Sequence, residues 1–314
     1  MSLSLELQRY LTIRRNLGYN LSTSERVLKR FVSFLEEENE THITSELFLQ
    51  WKQVFGKANQ STWANRLGMI RLFAAWLHSL DSRHQIPPRS LISGRYRRKR
   101  PYIYNDDEIR KIVKTAAILP SRNGIREITY STFFGLIAVT GLRISETISL
   151  NNKDIDLRNG IITLHNGKNH KSRILPVTEC TTACLKEYVR KRNRLLGQEP
   201  EPFFVSDNGV RLTDCTVRYN FAVVCQRIGL RPQQRFHKHG IGPRIHDLRH
   251  TFAVKVMINW YKDGKNIDRE MLKLVTYLGH NNLSHTYWYI EAVPELLALA
   301  SKRTEDALTQ EVQS

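Results

Sequence analysis

The chain has 314 residues, 41% of them apolar, which excludes a disordered polymer and leaves room for about two domains. Lysine and arginine number 48 against 30 acidic side chains, a net charge of +18 that points to a polyanionic partner. No run approaches the ~18 consecutive apolar residues of a membrane span. The opening MSLSLELQRYLTIRR lacks the apolar core and cleavage site of a signal peptide, so a cytosolic protein not associated with membrane is expected.

The first 82 residues read as helical throughout. Apolar side chains recur at a period of 3.6 in Leu5, Leu7, Tyr10, Leu11 and Ile13, and again in Val27, Leu28, Phe31, Phe34 and Leu35. Gly18 ends the first helix. Ser22, Thr23 and Ser24 supply cap oxygens for a second, Thr44 and Ser45 for a third, and Ser61 for a fourth running through Trp76. Residues 1–82 carry 10 basic and 8 acidic side chains, whereas residues 83–100, RHQIPPRSLISGRYRRKR, carry 7 basic and none acidic. Pro87, Pro88 and Gly94 break helices there, so this stretch reads as a basic interdomain linker able to wrap a duplex.

Beyond Pro101, NDDEIRKIVKTA opens a helix with acidic residues at its positive end, and a second helix covers Tyr130 to Thr140. IDLRNGIITLHNGKNHKSRILPV then alternates apolar and polar residues about two turn signals, Arg158-Asn159-Gly160 and Asn166-Gly167, which predicts a small antiparallel meander. Helices follow at Thr178–Leu195, Thr213–Ile228, His246–Tyr261 and Asp268–Leu278. From Cys215 to His246 there are 6 more basic residues and no acidic one, a second positive patch that suggests a clamp rather than a tail. The four cysteines, Cys180, Cys184, Cys215 and Cys225, form no Cys-x-x-Cys pair and are expected as free thiols.

Three features stand out in the second half. Gly141-Leu142-Arg143-Ile144-Ser145-Glu146 lies at a helix start, and His246-Asp247-Leu248-Arg249-His250 opens another helix. Leu278-Gly279-His280 is followed nine residues later by Tyr289. In this order they resemble the tyrosine recombinases, the integrases and Xer-type recombinases, over nearly the whole chain. The resemblance implies a mainly α fold: an N-terminal four-helix, SAM-like core-binding domain (1–82), the basic linker (83–100) and a mixed α+β catalytic domain with a small antiparallel sheet (101–314). It also implies cutting and rejoining of duplex DNA through a 3′-phosphotyrosyl intermediate, without metal, nucleotide or other cofactor. The family's catalytic positions fall on Arg143, Lys168, His246, Arg249, His280 and the nucleophile Tyr289.

The chemistry accounts for these residue types. Phosphodiester cleavage puts negative charge on the nonbridging oxygens, and catalysis is then mainly positioning and electrostatic stabilisation. Arg143 and Arg249 answer with planar forks of N–H donors. A phenol has a pKa of about 10, so Tyr289 needs a proton acceptor or a cationic pocket. His246 is the expected acceptor, Lys168 on the hairpin tip the general acid for the departing 5′ oxygen, and His280 a phosphate ligand. Lys171 competes with Lys168 for that role, and Tyr287 competes with Tyr289. The nine-residue offset from His280 selects Tyr289 and leaves Tyr287 to packing. His246 and His250 are spaced like two zinc ligands, but the pair encloses Arg249 and lacks the accompanying glutamate.

Phosphate contacts are expected from Arg95, Arg97, Arg98, Lys99, Arg100, Lys171, Arg173, Lys238 and Arg244. After Tyr289, the stripe Val293, Leu296, Leu297 and Ala300 is expected to dock on a neighbour. The resemblance makes that neighbour a protomer of a homotetramer holding two DNA sites by exchange of C-terminal helices, with a partner recombinase or accessory protein as a further participant. Mobile-element integration or transposition and Xer-like resolution share this chemistry. A noncatalytic DNA-binding factor and a topoisomerase are the competing readings.

Overall fold

The computed structural model describes residues 2–94, 99–165, 172–233, 242–279 and 282–313, and it divides into two compact units, residues 1–99 and 100–314. In the first unit, α1 (Leu3–Asn16), α2 (Ser22–Glu37), α3 (Ser45–Val54) and α4 (Gln60–Leu80) bury one face each. Helical spacing puts Leu7, Phe31, Leu35, Phe48 and Phe73 on those faces, and all are buried. Trp51 and Trp63 meet edge to face at their centre, with ring centroids 5.4 Å apart.

The caps follow backbone conformation more than residue type. Thr44 caps α3 by accepting a hydrogen bond from the Leu47 amide. At α4 the cap is Asn59, in extended backbone, which accepts from the Thr62 amide; Ser61 already lies inside the first turn. At α2 the cap position is Leu21, so Ser22, Thr23 and Ser24 fall within the helix and do not cap it.

The stretch expected as linker is anchored over its first half. The Gln85 amide donates to the Ile43 carbonyl at 2.7 Å, and the Ile43 amide donates to Nδ1 of the buried His84 at 3.1 Å. After a single 3₁₀ turn at Arg89–Leu91, Ile92 enters the same apolar core as the four helices. Residues 83–92 thus belong to the helical unit. An extended segment stiffened by Pro87 and Pro88 can lie on the bundle because its apolar side chain and a few backbone bonds anchor it.

The second unit comprises α5 (Asp106–Ala116), α6 (Ile125–Thr140), α7 (Ile144–Ser149), β1 (Ile155–Asp156), β2 (Ile161–Leu164), β3 (Arg173–Pro176), α8 (Glu179–Leu196), α9 (Asp214–Arg227), α10 (Ile245–Lys262), α11 (Ile267–Leu278), α12 (Ser284–Ala292) and α13 (Pro294–Gln313). The strands form the expected antiparallel meander in the order β1-β2-β3, with Ile162 opposite Leu175 and Leu164 opposite Arg173. Helix α6 begins at Ile125, earlier than its apolar pattern predicts. Asp207, far along the chain, and Ser121 accept from the Arg126 amide and satisfy that first turn.

Two apolar clusters organise this unit. One surrounds α6, where Phe133 and Phe134 pack with Tyr188, Phe203, Phe204 and Phe221. The other gathers α10, α11 and α12 around Val254, Met257, Met271, Leu274 and Tyr289. Val293 and Leu296 of the C-terminal stripe are buried in this second cluster, and α13 packs on α10 and α12 of its own unit. Two side chains of the stripe are thus buried within their own unit, while Leu297 is exposed.

Candidate active site

Helix α6 ends at Gly141, whose φ of +64° lies in the left-handed region. A Cβ there would stand 2.5 Å from Cδ1 of Phe252, so glycine is required both for the backbone turn and for the approach of α10. The turn brings Arg143 to the start of α7. Its amide donates to Oε2 of Glu146 at 2.9 Å and its Nη1 to Oε1 at 2.6 Å. From β3, Arg173 donates Nη1 and Nη2 to the same carboxylate at 3.0 and 2.9 Å.

Glu146 is buried between these two guanidiniums. Burial alone pushes its carboxyl up, but the hydrogen bonds from Arg173 and the Arg143 amide, with the charges of both arginines, outweigh it. The carboxyl is held at about 2, so Glu146 is a fixed anion. The sequence motif alone gives Glu146 no catalytic role. Its position three residues after Arg143 is a capping-box spacing, and that was the available signal.

Three arginines from separate elements then converge on the C-terminus of α11. Arg173 Nε donates to the Tyr277 carbonyl at 2.9 Å, Arg249 Nη2 to Leu278 at 2.7 Å, and Arg143 Nη2 to Gly279 at 2.8 Å. These are the carbonyls that a helix leaves without intrahelical partners, at the negative end of its dipole. Arg249 also donates Nη1 to the Gly141 carbonyl at 2.7 Å, so one guanidinium ties the ends of α6 and α11 together. It is almost wholly buried. Burial, with the neighbouring charge of Arg143, pulls it down to about 9, which leaves it cationic at neutral pH.

Helix α10 supplies His246, Arg249 and His250 from its first turns. The Asp247 carboxylate accepts from the Arg244 amide at 2.7 Å and fixes the helix start. Burial, and the positive charges of Arg249, Arg244, Arg143 and Arg218, push His246 down to about 4, so its imidazole is neutral. One turn further on, Nδ1 of His250 lies 2.6 Å from the hydroxyl of Tyr289, which is buried in α12. The rings of His246 and His250 meet edge to face with centroids 4.6 Å apart.

The sequence-predicted residues divide three ways. Arg143, His246, Arg249 and Tyr289 gather at the junction of α7, α10, α11 and α12. Arg173, expected on DNA, bonds Glu146 and the Tyr277 carbonyl, with its side chain 12% exposed. Lys99 and Arg100 are exposed, as is Arg244. Lys168, His280, Arg95, Arg97, Arg98, Lys171 and Lys238 lie outside the described residues. Tyr287, expected in packing, is instead exposed and donates its hydroxyl to Asp268 at 3.1 Å.

Among the described residues, His42, Asp81 and His84 of the helical unit bring ligand-type atoms within 4.8 Å of one another. They suit a cation poorly. Arg83 already forks onto the Asp81 carboxylate, and the Ile43 amide occupies Nδ1 of His84, which leaves the ring proton on Nε2. No helix among the described residues is long and apolar enough to cross a membrane.

Comparison with known proteins bears on the same residues. A family model described as the phage integrase family matches residues 103–295, which include α5 to α12 and the whole arginine cluster. The Sinorhizobium fredii protein y4rB, provisionally named an integrase/recombinase, is 38% identical over 304 residues, covering 95% of this chain and 96% of that protein. The tyrosine recombinase XerC of Thermodesulfovibrio yellowstonii is 28% identical over 279 residues, covering 87% of this chain and 85% of its own. Among solved structures, the XerH site-specific recombinase bound to palindromic difH substrate in a post-cleavage complex has a similar fold. Its TM-score is 0.63 at 20% identity, over 95% of this chain and 84% of that one.

Proposed function

The chain belongs to the phage integrase family, the tyrosine recombinases that cut and rejoin DNA, and we propose that it does so with Tyr289 as nucleophile and Arg143 and Arg249 as the phosphate clamp. The observation that carries this assignment is the convergence of the two guanidiniums on adjacent carbonyls, Leu278 and Gly279, beside the helix that bears Tyr289. Each guanidinium has five N–H groups, of which these contacts and those to Gly141 and Glu146 use two apiece. The others face the task of holding nonbridging oxygens as charge develops on them.

In the proposed reaction the Tyr289 oxygen bonds to phosphorus as the bond to the 5′ oxygen breaks. The phenolic proton leaves to a base, and Lys168 supplies a proton to the departing 5′ oxygen. Exchange of one phosphodiester for another conserves the bond energy, so rejoining needs no nucleotide. His246, neutral at the site, and His280 serve as hydrogen-bond donors to the phosphate. Glu146 and Arg173 are positioning residues, since they hold Arg143 and the end of α11 and need not touch DNA.

Arg249 and Tyr289 are only 1% and 2% exposed, so DNA engagement requires α13 to move off the cluster it shares with α10 and α12. Release of α13 from its own α10 face would open the site and free Val293 and Leu296 to dock on a second protomer. That step would build the homotetramer on two DNA sites, with a partner recombinase or accessory protein where the reaction demands one. Lys99, Arg100 and Arg244, with Arg95, Arg97, Arg98, Lys171 and Lys238, are the proposed phosphate contacts. They position the duplex without reading its sequence, and their contribution weakens with salt. The biological setting proposed is mobile-element integration or transposition, or Xer-like resolution, at the nucleoid.

The test is recovery of genomic DNA that stays attached to the protein after detergent denaturation, from the unsubstituted chain, Tyr289→Phe and Tyr287→Phe. An adduct lost only with Tyr289→Phe is expected, and sequencing it names the target site. Loss only with Tyr287→Phe would move the nucleophile. Tight binding with no adduct in any form would leave a noncatalytic DNA-binding factor.

A further inference from the structure

We propose that His250, rather than His246, accepts the phenolic proton of Tyr289 during strand cleavage and returns it during rejoining. The inference rests on the reading of Tyr289 as nucleophile and extends it to the proton. Its first support is distance. Nδ1 of His250 stands 2.6 Å from the Tyr289 hydroxyl, within the reach a proton transfer requires, in a position set by two helices rather than by a loop.

The second support is the division of labour along α10. His246 and His250 are four residues apart and so share a face, but they meet different surroundings. His246 sits amid Arg143, Arg218, Arg244 and Arg249, whose charges oppose a further proton on its ring. His250 faces α12, where its ring centroid lies 5.4 Å from that of Tyr289 and 6.1 Å from that of Trp288. Trp288 and the phenol ring thus frame the imidazole beside the hydroxyl it would deprotonate.

The step balances. The Tyr289 O–H bond breaks, its proton passes to Nδ1 of the His250 imidazole, and the phenolate oxygen bonds to phosphorus as the 5′ oxygen departs with a proton from Lys168. When a 5′ hydroxyl attacks the phosphotyrosine, its proton returns to the Lys168 amine and the leaving phenolate recovers its own from the His250 imidazolium. No oxidant, reductant or metal enters.

The experiment measures the rate of detergent-resistant adduct formation by the full chain on sheared genomic DNA of the source organism. Tyr289→Phe serves as the blank, and each variant's DNA affinity and melting are followed alongside. His250→Asn keeps a hydrogen-bonding group near Nδ1 but cannot take the proton, and it is expected to slow adduct formation by about 10²- to 10³-fold at unchanged DNA affinity. His250→Gly is expected to recover at least about tenfold when imidazole is added, an effect that a packing role would not produce. Replacement of the tyrosines by 3-fluorotyrosine, whose phenol is more acidic, should narrow the gap between His250→Asn and the unsubstituted chain, and does so even if the glycine variant fails to fold.

Adduct formation by His250→Asn at the unsubstituted rate would overturn the proposal and leave Tyr289 as nucleophile. A slow His250→Asn that neither imidazole in the glycine variant nor 3-fluorotyrosine relieves would overturn it in favour of a positioning role. Absence of any Tyr289-dependent adduct from the unsubstituted chain would instead remove the underlying assignment, and this inference with it.

Discussion

The two units of this chain are held together by different physics. The helical unit is centred on aromatic and aliphatic side chains, with Phe31, Phe48, Trp51, Trp63 and Phe73 buried among α1 to α4. The second unit has apolar clusters of its own, but one corner is a charged lattice in which Arg143 and Arg173 hold the anion of Glu146 and, with Arg249, the carbonyl end of α11. An apolar core is non-directional and tolerates adjustment in shape. A buried charge network tolerates little, because removing one partner strands the others without water or counter-charge. The helical unit is therefore built for area and the charged corner of the second unit for geometry.

Substitutions in each unit should separate these two behaviours. Trp51→Ala is expected to have the largest effect on stability, about 3–5 kcal/mol, confined to the helical unit and read by following that unit's unfolding transition in the full chain. Arg249→Lys keeps the charge but cannot bridge Gly141, Leu278 and a phosphate together. Adduct formation should fall about 10²- to 10³-fold, with the helical unit's transition unmoved. A smaller loss, about 2–3 kcal/mol in the catalytic unit alone, is expected for Gly141→Ala. The added methyl meets Phe252 on a backbone of φ +64°, and denaturant titration would measure it.

The charged corner should also carry an acid limb that the apolar unit's core does not. The Glu146 carboxyl is held at about 2 against an ordinary 4.5, so the folded state binds its proton less readily than the unfolded chain does. Stability from Glu146 is then complete above pH 4.5 and is lost as pH falls toward 2. His246, lowered from 6.5 to about 4, works in the same direction at higher pH: its contribution is present above 6.5 and lost as pH falls through 4. Melting temperature measured from pH 7 downward should decline in both windows. Glu146→Gln should abolish the lower one while lowering stability at neutral pH. The smallest effect is expected from Thr44→Ala, about 1 kcal/mol, through loss of the cap on α3.

Particular residues mark how far a linear reading reaches. Thr44 was legible as a cap because the signal lies within one turn, whereas Asn59 displaced Ser61 through its extended backbone, a property of the chain path. The antiparallel meander was legible from its alternation and turns, but the destination of Arg173 was not. In sequence it is one more basic residue beside a hairpin; in the fold it is the second arm around Glu146. Residues 83–92 read as linker because proline and glycine break helices, yet Ile43 and Ile92 tie them to the helical core.

By itself the sequence determined the mainly helical architecture, the small meander, the polyanionic partner and the family, with Arg143, His246, Arg249 and Tyr289 in their order along the chain. Those properties depend on composition, local periodicity and motif spacing. Tertiary structure alone decided that Glu146 and Arg173 belong to the site, that α13 lies on its own α10, and that His250 rather than its neighbour one turn earlier meets the Tyr289 hydroxyl. Each of these is a contact between elements far apart in the chain. Such contacts depend on how helices cross and which faces they bury, and the spacing of residues along a single element carries no record of that.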